Sequence, residues 1–463
     1  MRLLFGAGAV AAVVVLVVAC TSPNPLSCAD GSCTDPSLPF CDEDGAISGT
    51  AGTCVTGECT PNEVQGCREK TAVVCNAEGT NYVLKDCTGL CDATLGCIEC
   101  ASEAQCSTAE PVCDAGSHAC RGCQLDAECA SNACSANSGT CVDASTLIYA
   151  SSSGSAAGNC GTQALPCDLT TALARADNIK NVIKLINGDY TVPELVLSAN
   201  KVATILGSQS TLRVPPSPPG QHTFTVKDGA KLSLQDMTLT AGINCYTATT
   251  GRGEVRLRDV TMSPGGITAS PCLIVAVHST FVGPGGVNLP GASGASSDVT
   301  FDRCTFRAAS VSASGPNHIV TVVNSVFDGG GFTGMSFEMG AHGTVSFSTL
   351  VNMPVTCNSS ASITFANDIM FGTTADNALY QQSAVCPVHY SLMNPQTVTY
   401  TSWDHVLTNV DPLLTSLPNK NFHLLATSPA IDAADPAAAL SADIEGTVRP
   451  QGPRLDIGAY EYK

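Results

Sequence analysis

Val299–Phe306 reads VTFDRCTF and Val320–Phe327 reads VTVVNSVF. In each, apolar residues alternate with polar ones, a polar turn intervenes, and an apolar residue closes the phrase. Five further copies lie at Leu232–Leu239, Val255–Met262, Ile274–Phe281, Thr344–Val351 and Ile363–Met370. Across the seven, the turn falls at Asp236, Asp259, His278, Arg303, Asn324, Ser348 and Asn367, in steps of 19 to 25 residues. A strand-like period of that length cannot bury its own apolar face, so each copy must stack on its neighbours as a solenoid of parallel strands. Alternation then points Phe301, Val322, Phe347 and Phe365 inward before the turn, and Phe281, Phe306, Phe327 and Met370 inward after it. Thr300, Asp302, Thr321 and Thr364 point outward. Asp236, Asp259, Asn324 and Asn367 are expected to stack at the turn as a hydrogen-bonded ladder, for which turn chemistry is reason enough. Ten coils spaced by about 4.8 Å would make a rod about 50 Å long.

Upstream, from Ser145, cysteine becomes sparse. Leu147–Ala150 reads as a first strand, followed by a Gly/Ser-rich loop with Cys160 and Cys167, which are further disulfide candidates. Asp168 or Thr170 can cap a short helix whose Leu169, Ala172, Leu173 and Ala176 share one face. VIKLINGDYTV, Val182–Val192, is a strand broken by a glycine turn. This order resembles the opening of right-handed parallel β-helix proteins of the pectin-lyase-like class. The resemblance implies an all-β, right-handed parallel β-helix over residues 143–409, its helix covering the first coil's exposed edge.

Residues 410–463 read as a C-terminal cap. They carry Val410-Asp411-Pro412, Asn421-Phe422-His423-Leu424, Ser428-Pro429-Ala430-Ile431-Asp432, Asp443, Gly446, Arg449-Pro450 and Asp456-Ile457-Gly458-Ala459-Tyr460-Glu461. That series resembles the ending of bacterial β-helix surface proteins called choice-of-anchor Q proteins, and the likeness extends from Ser145 to Tyr462. Asp432, Arg449, Asp456 and Glu461 are its signature positions, and a paired Arg449 and Asp456 would seal the last coil. Family members often carry an anchoring tail, whereas this sequence stops at Lys463, which assigns anchorage to the front. Cys245 and Cys272, and Cys357 and Cys386, are each about one coil apart in sequence, so cross-rung disulfides are open to both pairs. Cys304 would then be a buried free thiol.

At the front, Arg2 is followed by a small, apolar run of 14 residues from Gly6 to Ala19. Such a run is short for a spanning helix and fits a secretory signal. Its ending, Val17-Val18-Ala19-Cys20, resembles the bacterial lipobox. The resemblance implies a signal peptide at 1–19, Cys20 as the lipid attachment residue and membrane partner, and a linker at 20–27. Thr21 and Ser22 lack the aspartate that retains such lipoproteins at the inner membrane, so an outer-membrane lipoprotein is expected, facing the surface or the periplasm.

Between the linker and the helix, region 28–142 holds eighteen cysteines. They are Cys28, Cys33, Cys41, Cys54, Cys59, Cys67, Cys75, Cys87, Cys91, Cys97, Cys100, Cys106, Cys113, Cys120, Cys123, Cys129, Cys134 and Cys141. The spacing from Cys97 to Cys120 is answered from Cys120 to Cys141, so the segment repeats. An even number in an exported stretch poor in large apolar residues reads as a disulfide scaffold. Two CxxC pairs, Cys97/Cys100 and Cys120/Cys123, lie at zinc-ribbon distance, yet Cys106 and Cys113 intervene, and disulfides are the preferred reading. Pairing within the scaffold stays open.

A formal charge of −19 over 463 residues disfavours nucleic acid and anionic membrane surfaces. A polysaccharide enzyme on this fold needs clustered carboxylates, or a base beside bound calcium. The acids of the coils (Asp228, Asp236, Glu254, Asp259, Asp298, Asp302, Asp328, Glu338 and Asp368) are scattered in sequence. Asp298 and Asp302 with Arg303 form the nearest charged patch, and Ala341-His342-Gly343 only partly matches a GHG motif. No catalytic residue, cofactor or metal is assigned. The sequence favours a lipid-anchored surface protein whose β-helix face meets a glycan or a protein in an adhesion or envelope role. Two alternatives stand beside it: a polysaccharide lyase or glycoside hydrolase of the pectin-lyase-like class, and a structural spacer. Convergent carboxylates with a basic residue in a groove would favour an enzyme; an unbroken polar Ser/Thr face would favour adhesion.

Overall fold

The computed structural model describes residues 26–463 except 29–32, 39, 44, 46–47, 56–58, 78, 80–81, 136–137, 187, 216–221, 248–250, 292–295, 330–333 and 373–375. The signal segment 1–19 and Cys20 lie outside the described residues. Two compact units result, Met1–Cys123 and Gln124–Lys463.

In the first unit, large apolar residues are few and the strands are short and antiparallel. Phe40–Asp42 pairs with Thr53–Val55, Leu90–Asp92 with Gly96–Ile98, and Val112–Cys113 with Cys120–Arg121. Val64–Arg68, Thr71–Cys75 and Tyr82–Asp86 form a three-stranded sheet. Disulfides join Cys28–Cys41, Cys33–Cys54, Cys59–Cys75, Cys67–Cys91, Cys87–Cys97, Cys100–Cys113 and Cys106–Cys120. Closing loops of this size removes about 3 kcal/mol of unfolded-chain entropy apiece, which supplies what a sparse core cannot. Cys97, Cys100 and Cys120 of the CxxC pairs are each spent in such a bond, leaving no thiolates there for zinc. So dense a set of disulfides belongs to an oxidising, extracytoplasmic compartment.

The second unit is a parallel β-helix. Among the described residues, twenty strands from Leu147–Ser155 to Leu407–Thr408 form one continuous parallel sheet, and nine from Leu195–Leu197 to Leu379–Gln382 form another. Each repeating coil gives one strand to the nine-stranded sheet and a corner-bent pair to the longer one. The repeated phrases lie in register. Leu234, Leu257, Ala276, Phe301, Val322, Val345 and Phe365 make one inward column. Met262, Phe281, Phe306, Phe327, Leu350 and Met370 make the column beyond the corner. Phe281, Phe306 and Phe327 stack face to face with centroids 4.7 and 4.3 Å apart, close to the rise between neighbouring strands.

The corner corrects the sequence reading at one coil. Asp236, Asp259, His278, Arg303, Asn324 and Asn367 all take the left-handed conformation, with φ between 50° and 61°. In the sixth copy that residue is Phe347, at φ 49°, not Ser348. Val345 therefore takes the inward place expected of Phe347. The corner selects a backbone conformation, costing a non-glycine residue roughly 1–2 kcal/mol, and leaves side-chain polarity to whatever lies outside. Tyr390 and His405, at φ 46° and 52°, continue the row past the seven copies.

Among the described residues the corner side chains form no hydrogen-bonded ladder; His278 Nδ1 stands 3.8 Å from Asp259 Oδ1, and Tyr390 stacks on His405 with centroids 4.4 Å apart. The ladder runs one residue later, inside the turn. Cys304 N donates to Ser325 Oγ at 3.1 Å, Ser325 N to Ser348 Oγ at 3.2 Å, Ser348 N to Asp368 Oδ1 at 2.8 Å, and Asp368 N to Ser391 Oγ at 3.0 Å. It satisfies backbone donors that the left-handed kink withdraws from the sheet.

At the start of the solenoid, helix Leu169–Arg175 is capped by Asp168, whose Oδ1 accepts from Thr171 N at 2.7 Å. Its Leu169, Ala172 and Leu173 are buried against strands Leu147–Ser155 and Val182–Leu185, beside the bonded Cys160 and Cys167. Gln124–Cys141 belongs to this unit too, so it begins upstream of the expected 143. The Tyr149 hydroxyl donates to Ser131 O at 2.5 Å and Gln235 Nε2 to Cys134 O at 3.3 Å. Cys129–Cys141 repeats the closure of Cys106–Cys120. Cys245–Cys272 and Cys357–Cys386 are bonded within the coil interior, and Cys304 is free and buried.

Candidate functional site

On the nine-stranded sheet, the residue after each buried Ile243, Ile267, Val287, Val311, Met335 and Val355 faces out. Those residues are Asn244, Thr268, Asn288, Ser312, Ser336 and Thr356, in direct register from one coil to the next. Thr225 precedes the column and Tyr380, 48% exposed, ends it. A second outward column holds Lys227, Tyr246 and Ser270 at one end, then Ser314 and Glu338, then Asn358 and Gln382. Hydroxyl and amide groups thus run along most of the face, between exposed Val196 at one end and an aromatic ring at the other. A groove of about 380 Å³ borders the column at Thr268 and Asn288, with His222 on its rim. Gly266 and Gly286 form its floor, and a Cβ on Gly286 would stand 2.0 Å from Ser310 O, so stacking itself requires the glycine.

Four of the nine acids singled out from sequence are held closely by neighbouring cations. Asp298 pairs with Arg252 at 2.7 Å, Asp302 with Arg303 at 2.9 Å, Glu254 with Lys231 at 3.0 Å and Asp328 with Lys420 at 2.8 Å. Arg252 and Arg303 bind carboxylates of their own patch. The GHG-like stretch has a packing cause: a Cβ on Gly343 would lie 1.8 Å from Val320 O.

The C-terminal signature also turns out to be architectural, with changed partners. Asp456 does not meet Arg449 through its carboxylate, which instead accepts from Asp432 N and Tyr462 N at 2.7 Å each. Arg449, 5% exposed, donates to Asp456 O at 3.2 Å and Gly458 O at 2.8 Å. Its Nε stands 3.5 Å from Glu461 Oε2, an ion pair without hydrogen-bond geometry. Glu461 accepts from Gln451 N at 2.8 Å, and Asp432 from Arg454 N at 3.0 Å. Burial pushes the Asp456 and Glu461 carboxyls up and the Arg449 guanidinium down.

This cap lies along the flank of the solenoid, whereas the sequence reading had it seal the last coil. Leu424, Ala430, Leu455 and Ile457 pack on Phe347, Ile369 and Leu392, and Phe422 and Ala459 on Val326 and Val351. Asn324 Nδ2 donates to Ala442 O at 2.9 Å, and Asp435 N to Asn367 Oδ1 at 2.7 Å. The Arg449 guanidinium sits 5.4 Å from the Phe347 ring centre, which explains an aromatic corner at that coil.

Two buried groups stand in the serine ladder: Cys304, the buried free thiol expected from sequence, and Asp368, which had read as one of the scattered coil acids. Asp368 is fully buried and accepts from Ser348 N at 2.8 Å and Ala366 N at 3.0 Å. Burial raises its carboxyl well above the usual range, so it favours folding below about pH 4 and that contribution is lost as pH rises through the folded pKa. Serine is the ladder residue on either side, so Asp368→Ser should stabilise the protein by about 1–3 kcal/mol at pH 8. The gain should shrink toward pH 4 in thermal unfolding; an equal gain at both pH values would reject this origin.

Cys304 stands in the same ladder, and burial pushes its thiol up to about 12. Native protein treated with iodoacetamide should keep Cys304 unmodified, and denatured protein should lose it to alkylation, by peptide mass.

A further contact joins residues that no sequence pattern links. Lys184 Nζ lies 2.6 Å from Ser208 Oγ, the spacing of a Ser–Lys nucleophile pair. Asp126 Oδ2 stands 2.5 Å from the same nitrogen and accepts from Ser208 Oγ at 2.6 Å. Lys184 donates to the serine oxygen and the serine hydroxyl donates to Asp126, so the trio is not arranged for the lysine to take the serine proton. Lys184 and Asp126 are 58 residues apart, with no local pattern linking them.

No family model matches the sequence, and no curated protein matches it. Among solved structures, a pectate lyase, Pel9A, is similar at 13% identity over 70% of this chain and 100% of its own, with a TM-score of 0.32. Overlap that low supports no statement about activity.

Proposed function

We propose that the protein is a lipid-anchored envelope protein that binds a glycan, or a protein surface rich in polar groups, along the nine-stranded face of its β-helix. The observation that carries this reading is the column from Asn244 to Thr356, an uninterrupted series of amide and hydroxyl side chains. Such groups donate and accept in turn, as sugar hydroxyls do, and Tyr380 offers a ring for stacking. The pairing of Glu254, Asp298, Asp302 and Asp328 with cations favours binding over acid/base chemistry at those positions. Anchorage through Cys20, an outer-membrane location and kinship with choice-of-anchor Q proteins belong to the same proposal. They rest on the VVAC ending and on the run from Asp411 to Glu461.

A panel of neutral and acidic polysaccharides tests the face. Full-length protein should retain at least one of them without releasing reducing or unsaturated ends. The combined variant Thr268→Ala, Asn288→Ala, Ser312→Ala should bind at least tenfold more weakly. Release of unsaturated ends that grows with time would replace this reading with the lyase. Metabolic labelling with a fatty-acid analogue tests the anchor, since Cys20→Ser should abolish the label.

A further inference from the structure

Near its first coils, the second unit has a pocket of about 280 Å³ that is separate from the polar face. Asp126, Lys184, Ser208, Gln235, Asp236 and Asp259 line it. Its wall is built around a bulge: Ser208 and Gln209 both take the left-handed conformation, at φ 48° and 59°, where pairing with the next coil slips between Leu206 and Ser210. The bulge turns Ser208 toward Lys184, whose side chain is 7% exposed. Lys184 spends two of its three N–H donors on Asp126 and Ser208, leaving one.

Gln235 and Asp236 set acceptors beside that lysine. Gln235 is 6% exposed, and its Nε2 donates to Cys134 O at 3.3 Å, but its Oε1 has no hydrogen-bond partner in the protein. A buried amide oxygen left so costs about 1–3 kcal/mol, which a donor brought from outside would recover. Asp236 accepts from Gln209 N at 3.1 Å, and burial lifts its carboxyl above the usual range, with Asp126 and Asp259 adding like charge. Of the three carboxylates, Asp126 pairs with Lys184 and Asp259 lies 3.6 Å from Arg258 Nε, so among the described residues Asp236 is the one without an ion-pair partner. The pocket therefore favours a cation, and one whose hydrogens can reach both an amide oxygen and a carboxylate. The spare Lys184 proton calls for an acceptor on the same ligand.

We propose that this pocket binds a small amino sugar through its free ammonium group. The ammonium donates to Gln235 Oε1 and the Asp236 carboxylate, and a ring hydroxyl accepts from Lys184. A diamine would supply donors without the acceptor, and a neutral sugar would supply no charge.

Calorimetric titration of the full chain with glucosamine, N-acetylglucosamine, glucose, cadaverine and calcium chloride tests it. Glucosamine should bind at least tenfold more tightly than each of the others. Asp236→Asn should weaken glucosamine at least tenfold and leave the fold intact, because asparagine holds the same corner conformation at 324 and 367. Gln235→Met should weaken it comparably. Equal binding of glucose, tighter binding of calcium or cadaverine, or unchanged affinity in Asp236→Asn would each overturn the proposal. The Thr268/Asn288/Ser312 variant should bind glucosamine unchanged, so failure of the polar face is told apart from failure of this pocket.

Discussion

Arg449→Ala should cost about 3–5 kcal/mol and release the cap from the flank of the solenoid. The side chain is buried beneath the cap, donates to two backbone carbonyls, and stands beside a buried Glu461. Truncation leaves both carbonyls without that donor and the carboxylate without its countercharge. Arg449→Lys should rescue little, since one ammonium cannot span the fork to Asp456 O and Gly458 O. Lower pH should narrow the penalty, because burial already raises the Glu461 carboxyl and its protonation removes the orphaned charge. The measurements are thermal unfolding at pH 5 and pH 8, and limited proteolysis across residues 410–463. Cleavage there as slow as in the parent protein would contradict the latch.

Phe306→Ala should be comparably damaging, by about 3–5 kcal/mol. The ring is fully buried, stacked on Phe281 at 4.7 Å and Phe327 at 4.3 Å, and meets Phe301 edge-on at 5.0 Å. Removing it opens a void that straight, stacked strands cannot collapse around. In a solenoid each coil is stabilised by its neighbours, so the loss should be local. Hydrogen exchange should quicken first in Thr280–Val282, Thr305–Arg307 and Val326–Asp328, with the distal coils keeping their protection. Uniform loss along the rod, or a cost below 1 kcal/mol, would show that the column is not the source of cohesion.

What sequence reveals here depends on whether a signal is local. The columns through Phe281, Phe306 and Phe327 were legible because alternation and repetition agree in every copy. Phe347 was misplaced because a polar residue marked the turn, and polarity fails where another segment covers the corner. The signal for that cover was present in the outward positions. Thr280 and Thr305 give way to Val326, then, past Thr349, to Ile369 and Leu392 in the same column, where the cap packs. The serine ladder is invisible in sequence, since serine beside a bend needs no further explanation. Lys184, Asp126 and Ser208 meet only because the first coil returns to the same edge, and no spacing rule anticipates it.

The outward column from Asn244 to Thr356 offers six interchangeable starting points to anything long and regular laid against it. Sliding such a strand by one rung, about 4.8 Å, restores a similar set of neighbours. Six degenerate alignments add about 1 kcal/mol of statistical weight to occupancy. Were a polymer bound there as proposed, it would be held while free to creep, and residence would grow with chain length and yield little to any single substitution.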